Sequence, residues 1–214
     1  MFKNLKGCFI VLDGPDGCGK STQTVMLAKY LTNQGVRTSV FRDPGSTATG
    51  EKIRKILLDP KNHISDRTEL LLYMASRAQL WQEGIAPALK KKNCVLLDRW
   101  LSSTCAYQGF AGGLGIAKVI DIAEHSLQKI WPDLTIILDI DLRTAKKRIK
   151  RSFDRMEQKN AAYHKKVRSG FLKLAKLRDD IIVIDGSADK QTVHKKIIQT
   201  IASYFKLKIE DFWN

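Results

Sequence analysis

Residues 8–21 read Cys8-Phe9-Ile10-Val11-Leu12-Asp13-Gly14-Pro15-Asp16-Gly17-Cys18-Gly19-Lys20-Ser21. A continuous apolar run ends at an aspartate and passes directly into an unbroken G-x-x-x-x-G-K-S. An apolar run without polar alternation suits a strand buried on both faces, as in a parallel sheet covered by helices. The glycines let backbone N–H groups turn inward around an anion, and the helix that follows adds the positive end of its dipole. On this reading Gly14, Pro15, Asp16, Gly17, Cys18, Gly19, Lys20, Ser21 and Thr22 cradle the phosphates of a nucleoside triphosphate. Lys20 reaches the β and γ phosphates, and Ser21 ligates Mg²⁺ through its hydroxyl. The competing reading is a glycine-rich turn that merely joins a strand to a helix. Chance supplies the bare pattern in roughly one chain of this length in a hundred, and its placement between a strand and a helix lowers that further.

The same strand pattern recurs at 37–41, 93–98, 134–139 and 181–185, and four of the five runs finish at an aspartate. Helical patterns lie between them at 19–34, 45–58, 66–91, 100–109, 116–129, 142–150, 156–178 and 189–205. Gly35 reads as the end of the first helix, Asp66 with Glu69 as a capping pair for the third, and Gly112, Gly113 and Gly115 as a loop. Alternating strands and helices over 214 residues predict one doubly wound α/β domain, with five parallel strands and helices on both faces. Its ligand lies beyond the carboxyl ends of the strands.

With 43% hydrophobic and 28% charged residues the chain is globular rather than disordered. No apolar run approaches the ~20 residues of a membrane span, and the first residues lack a signal peptide's apolar stretch, so a cytoplasmic protein without a membrane partner is expected. Cys8, Cys18, Cys94 and Cys105 have no C-x-x-C spacing and read as reduced thiols. The formal charge of +15 attracts phosphates, nucleic acid or an anionic surface. Residues 143–178 hold fourteen of the Lys and Arg residues against only Asp154 and Glu157, so the excess is regional.

A triphosphate site alone does not distinguish a switch GTPase from a motor or a kinase. No N-K-x-D is present to read guanine; Ser187-Ala188-Asp189-Lys190 stands without that partner. Asp98, closing the third run, suits a Mg²⁺ partner acting through water. Arg99 directly behind it points to a second phosphate.

Several further stretches carry a resemblance to the thymidylate kinase family over almost the whole chain. They are Arg42-Asp43-Pro44-Gly45, Glu69 to Leu80, Asp98-Arg99-Trp100 with Ser103 and Ala106-Tyr107-Gln108-Gly109, Pro132-Asp133-Leu134, and Asp154-Arg155-Met156-Glu157. The resemblance implies a P-loop kinase fold with a small basic lid at about 146–156, Mg-dependent transfer of the ATP γ-phosphate to thymidine monophosphate, and a homodimer. It departs at Asp43 and Ser46, where the family usually has R-E-P-G-G. It departs also at Trp100, where tyrosine or histidine is commoner, and at Tyr73, where phenylalanine is.

The family's roles carry over by position. Tyr73 and Arg77, four apart and so on one helix face, stack on the base and donate to its O4; taken alone they also suit a core aromatic beside a surface arginine. Thr104 and Gln108 contact the base edge. Tyr107 crowds the 2′ position of the sugar, or is ordinary helix packing. Arg99 and Arg42, with Ser103, hold the acceptor's 5′-phosphate, because guanidinium forks fit phosphate oxygens in pairs. Asp16 lies near the 3′-hydroxyl, and Asp13 assists metal or sugar; either can instead cap backbone N–H groups. Gly17 occupies the loop position where some members carry a catalytic arginine, so the resemblance puts that group in the lid. Arg151 and Arg155 are the candidates, alongside Lys20 and Arg99 as catalytic groups, with Arg148 beside the adenine. This lid is about two residues shorter than the pattern and lacks its glycine.

Cys18 sits among phosphate-binding amides, where a thiol of lowered pKa is an oxidation target; the plainer reading is a small residue that packs. Two rivals to the leading activity remain. One is a kinase for another nucleoside monophosphate or a deoxynucleoside. The other is a basic nucleic-acid-binding relative without kinase activity, against which no recognised nucleic-acid motif is present.

Overall fold

A computed structural model describes residues 3–129, 131–150 and 152–207. Strands β1 (Phe9–Asp13), β2 (Thr38–Arg42), β3 (Cys94–Asp98), β4 (Leu134–Asp139) and β5 (Ile181–Asp185) pair in parallel in the order β2-β3-β1-β4-β5. Each begins and ends within one residue of its expected run. The helices are α1 (Lys20–Asn33), α2 (Ala48–Leu58), α3 (Asp66–Leu80), α4 (Ala86–Lys90), α5 (Leu101–Thr104), α6 (Ile116–Ser126), α7 (Leu142–Arg148), α8 (Ala161–Ala175) and α9 (Lys190–Tyr204).

Successive strand residues feed two cores on opposite faces. Phe9, Val11, Val95 and Leu97 pack with Leu70 and Met74 of α3, Val119 of α6 and Phe171 of α8. Ile10, Leu12, Leu96 and Leu138 pack with Leu27 and Leu31 of α1 and Val193 and Ile197 of α9. Both faces are therefore dry, which is why the runs show no alternation. The two edge strands, β2 and β5, are partly open, and the run of β2 is the least apolar of the five.

Helix ends follow local chemistry. Gly35 closes α1, with its N–H donating to Thr32 O and that of Val36 to Leu31 O, so two free carbonyls are satisfied. The expected pair Asp66 and Glu69 does not cap α3: Ser65 does, accepting from Thr68 N, and Glu69 turns into the interior. The helix expected over 66–91 is broken, because Pro87 has no N–H to offer the carbonyl of residue 83; the chain widens into a π turn over Trp81–Ile85 before α4. α5 likewise passes into a π segment, Cys105–Ala111, which carries Tyr107 and Gln108. The helix expected from 45 starts at 48 behind Thr47, which accepts from Gly50 N. The one expected from 156 starts at 161 behind Asn160. Those expected to reach 129 and 150 stop at 126 and 148.

Register decides where chemistry gathers. Asp98 lies beside Leu12 on one side and Arg42 on the other. The carboxyl ends of β1, β2 and β3 thus bring Asp13, Asp98 and Arg42 to one rim, the usual ligand position for this topology. Immediately after β3, Trp100 is fully buried, its ring edge-on to Phe9 at 5.4 Å with the Arg77 guanidinium 5.0 Å from its centroid. A ring larger than the family's usual tyrosine therefore fills a core position and supports a buried cation. Trp100→Ala should lower the unfolding free energy by about 3–5 kcal/mol, read from chemical denaturation; a loss below about 1 kcal/mol would mean that the site repacks freely.

Candidate active site

Between β1 and α1 the chain wraps through Gly14, Gly17 and Gly19 with φ of 135°, 77° and 101°. A Cβ on Gly14 would lie 2.5 Å from Leu138 O, and one on Gly17 2.5 Å from Ala145 O. Glycine is therefore required by conformation and by close approach at both. No side chain caps α1, so the N–H groups of its first turn are left to a ligand. Lys20 Nζ arcs back over the loop to Gly14 O (3.0 Å) and Pro15 O (2.8 Å). Ser21 Oγ donates to Asp98 Oδ2 at 2.5 Å.

Asp16, Arg99 and Tyr107 form one cluster. Arg99 holds Asp16 in a close ion pair and donates to Ser103 Oγ (2.9 Å) and Gly14 O (3.2 Å); Tyr107 donates to the other Asp16 oxygen at 2.7 Å. Burial raises the Asp16 pKa, but Arg99 and then Lys20 more than offset this and hold it below the ordinary carboxylate value. Burial likewise opposes the charge on Arg99, yet Asp16, Tyr107, Asp13 and Asp98 together raise its pKa well above the usual value. Burial, then Asp16, raises the Tyr107 phenol, which stays neutral.

Asp13 is placed differently from the expectation that it meets metal or sugar. It is fully buried behind the loop, its carboxylate taken by Gly14 N, Trp100 N, Ser102 Oγ and Ser103 Oγ. The backbone-capping alternative describes it. Cys18 is also buried, and burial raises its thiol pKa. The plainer reading, a small residue that packs, describes it: desolvation outweighs Lys20 and Arg99.

Arg77 and Asp43 form a second pair, both about 1% exposed. Arg77 Nε donates to Asp43 Oδ2 at 2.9 Å, and Nη2 to the same oxygen and to Thr104 Oγ1 at 3.0 Å. Burial raises the Asp43 pKa against the opposing pull of Arg77. Gln108 Nε2 donates to Glu69 at 2.7 Å. Tyr73 lies half-buried on the same wall, its phenol raised by burial. Arg42 is more open and spans Glu51. Asp16, Gly17, Gly19, Lys20, Ser21 and Thr22 meet Arg42, Tyr73, Arg77, Asp98, Arg99, Ser103, Thr104, Tyr107, Gln108 and Arg148 around one cleft of about 420 Å³.

The segment between α7 and α8 covers this cleft. It runs over 149–160; Lys146 and Lys147, expected in the lid, belong to α7. Arg148 donates to the carbonyls of Gly186, Ser187 and Ala188 after β5. Arg155 turns the other way: its N–H and Nε cap Leu58 O and Leu57 O at the end of α2, and Nη2 pairs with Glu69. Arg155, expected at the phosphate end, is thus held against α2 and Glu69 and is not among the residues that line the cleft. Arg151 lies outside the described residues.

The sequence reading missed Arg54, which donates to Pro44 O at 2.9 Å and lines the cleft, as do Asp154, Met156 and Glu157 of the covering segment. It misread Glu69. The available signal was spacing, since Glu69, Tyr73 and Arg77 recur every four residues on one face of α3. Among the described residues no group of His, Cys, Asp and Glu is arranged to hold a metal by itself, and the four cysteines are free thiols. No described helix is long and apolar enough to cross a membrane.

The comparisons agree with this geometry. Residues 12–197 match the thymidylate kinase family model. A thymidylate kinase of Thermoanaerobacter sp. (strain X514) is 48% identical over 202 residues, 94% of this chain and all of the relative. One from Caldanaerobacter subterraneus subsp. tengcongensis is 43% identical over 204 residues, 94% of this chain and 98% of the relative. The crystal structure of thymidylate kinase from Ehrlichia chaffeensis superposes with a TM-score of 0.76 at 30% identity, covering 92% of this chain and 98% of the other. With its P-loop, its buried arginine wall and this likeness over nearly the whole length, the chain belongs to the thymidylate kinase family.

Proposed function

We propose that this chain transfers the γ-phosphate of ATP to thymidine monophosphate, giving ADP and thymidine diphosphate. What carries the reading is that one cleft joins the triphosphate loop to the acceptor residues Tyr73, Arg77, Arg99, Thr104, Tyr107 and Gln108. The base stacks on Tyr73 and receives a hydrogen bond at O4 from Arg77, whose guanidinium is held in place by Asp43. Tyr107 crowds the 2′ position, and Asp16 lies toward the 3′-hydroxyl. Arg99, with Arg42 and Ser103, holds the 5′-phosphate. The attacking oxygen already belongs to an anionic phosphate, so no strong base is required. Catalysis is positioning plus neutralisation of the charge on the moving phosphoryl group by Lys20, Arg99 and the lid.

The Ser21 hydroxyl beside the Asp98 carboxylate is an oxygen-only pair at the first turn of α1, a donor set that fits a hard divalent cation such as Mg²⁺. Ser21 would ligate the ion and Asp98 would hold it through water, and the ion would supply positive charge against the phosphates. Arg148, bonded to the carbonyls of 186–188, sits on the adenine side. Within this single domain the segment after α7 acts as the lid. Arg151 is its catalytic arginine: Arg148 is directed to the carbonyls of 186–188, and Arg155 to α2 and Glu69, outside the lining of the cleft. The family's homodimer is expected here too, and light scattering of the purified chain tests it.

A coupled assay with ATP, Mg²⁺ and each nucleoside monophosphate in turn should give thymidine monophosphate the highest kcat/KM. A preference for another acceptor, or salt-sensitive duplex binding without phosphoryl transfer, would overturn the reading. Arg151→Ala should lower kcat by orders of magnitude while thymidylate affinity changes little; an unchanged kcat removes Arg151 from the role. Gly17→Arg should not restore activity to that variant, since its Cβ meets the backbone oxygen of Ala145. Recovery of kcat in the double variant would contradict this steric exclusion.

A further inference from the structure

Glu69 is 4% exposed on α3, one residue behind the cleft wall. One of its oxygens accepts from Gln108 Nε2 at 2.7 Å and the other from Arg155 Nη2. Gln108 is itself buried at the cleft wall. A glutamine amide has two faces of nearly equal shape, so only its partners decide whether nitrogen or oxygen points a given way. A carboxylate has no proton to give. Beside Glu69 the NH₂ group of Gln108 must therefore face α3, and Oε1, which accepts no hydrogen bond from any described residue, is left as the group offered to a ligand.

We propose that Glu69 is a positioning residue for base selection: it locks the Gln108 amide so that an acceptor faces the base edge and pairs with the N3–H of thymine. The inference rests on the thymidylate reading above and deepens it. Arg77, which can only donate, takes the O4 side. An acceptor next to it matches the N3–H of thymine or uracil and opposes cytosine, whose N3 is itself an acceptor. A site whose buried polar groups suit one pattern rejects the other by leaving a pair of like groups facing each other. Arg155, on the other oxygen, fixes the carboxylate itself and ties this wall to the segment after α7.

Base selectivity is the measurement. Glu69→Gln keeps the shape and an acceptor for Arg155 but can donate to Gln108 Oε1, which frees the amide to flip. The ratio of kcat/KM for thymidine monophosphate over deoxycytidine monophosphate should fall at least tenfold, with KM for ATP unchanged. Glu69→Asp, still an acceptor only, should keep the ratio within about threefold. In a Gln108→Leu background Glu69→Gln should have no further effect on the ratio. A ratio unchanged in Glu69→Gln, equal losses in Gln and Asp variants, or a penalty that persists without Gln108 overturns the proposal. Should Glu69→Gln not fold, the wild-type protein decides: the Gln108 side-chain NH₂ resonances, assigned by their loss in Gln108→Leu, should be protected from exchange both with and without thymidine monophosphate. Rapid exchange in either state counts against it. Failure of the wild-type protein to phosphorylate thymidine monophosphate would instead sink the functional reading itself.

Discussion

Asp13, at the carboxyl end of β1, accepts hydrogen bonds from the backbone of Gly14 and Trp100 and from the hydroxyls of Ser102 and Ser103. A carboxylate with no exposure to water is costly unless its lone pairs are filled, and here each oxygen has two donors. Those donors come from the phosphate loop on one side and from the start of α5 on the other. The single carboxylate therefore sets the distance between the triphosphate cradle and the helix that carries Tyr107 and Gln108. Arg99, between them, has its backbone in the left-handed region (φ 69°), a conformation a non-glycine residue keeps only when its surroundings require it. Its Nη1 lies 3.7 Å from Asp13 while Nη2 grips Asp16.

Three arginines of the acceptor wall each have a carboxylate partner: Arg77 with Asp43, Arg99 with Asp16, Arg42 with Glu51. The pairs differ in how much water they have lost. Arg77 and Asp43 are sealed, and removing either partner would strand a buried charge at a cost of about 3–5 kcal/mol. Arg42 and Glu51 are 52% and 38% exposed, a setting in which an ion pair contributes at most about 1 kcal/mol. Glu51, held below the usual carboxylate value first by the Ser46 N–H and then by Arg42, yields Arg42 to a phosphate at little cost. The end of the cleft that reads a base is thus rigid, and the end that grips a charge is exchangeable.

The excess positive charge takes a different form in three dimensions from the one a residue count suggests. Arginines lining the cleft are largely balanced by neighbours, since a desolvated guanidinium needs a partner. Of the surplus in residues 143–178, Arg148 lines the cleft, while much of the rest is carried by α7 and α8. Such a field draws polyphosphates toward the site without being consumed in holding the walls together.

Local chemistry was enough to determine a great deal. The strand runs, the glycine-lysine-serine loop and the ends of α1 and α9 follow from patterns a few residues long, because burial on both faces, missing Cβ atoms and local caps act over that range. Asp16, Lys20, Ser21, Tyr73, Arg77, Arg99, Tyr107 and Gln108 were recognisable in the sequence and do share a cleft. What only the tertiary structure decided are the pairings between elements far apart in the chain. Arg77 with Asp43, Glu69 with Gln108 and Arg155, and Asp13 with Ser102 are separated by 34, 39, 86 and 89 positions. Sequence assigned Glu69 to a helix cap by its chemistry, and the family resemblance made Arg155, with Arg151, a candidate for catalysis. The fold gave them other partners, since a buried charge goes to whichever opposite group the packing brings within reach.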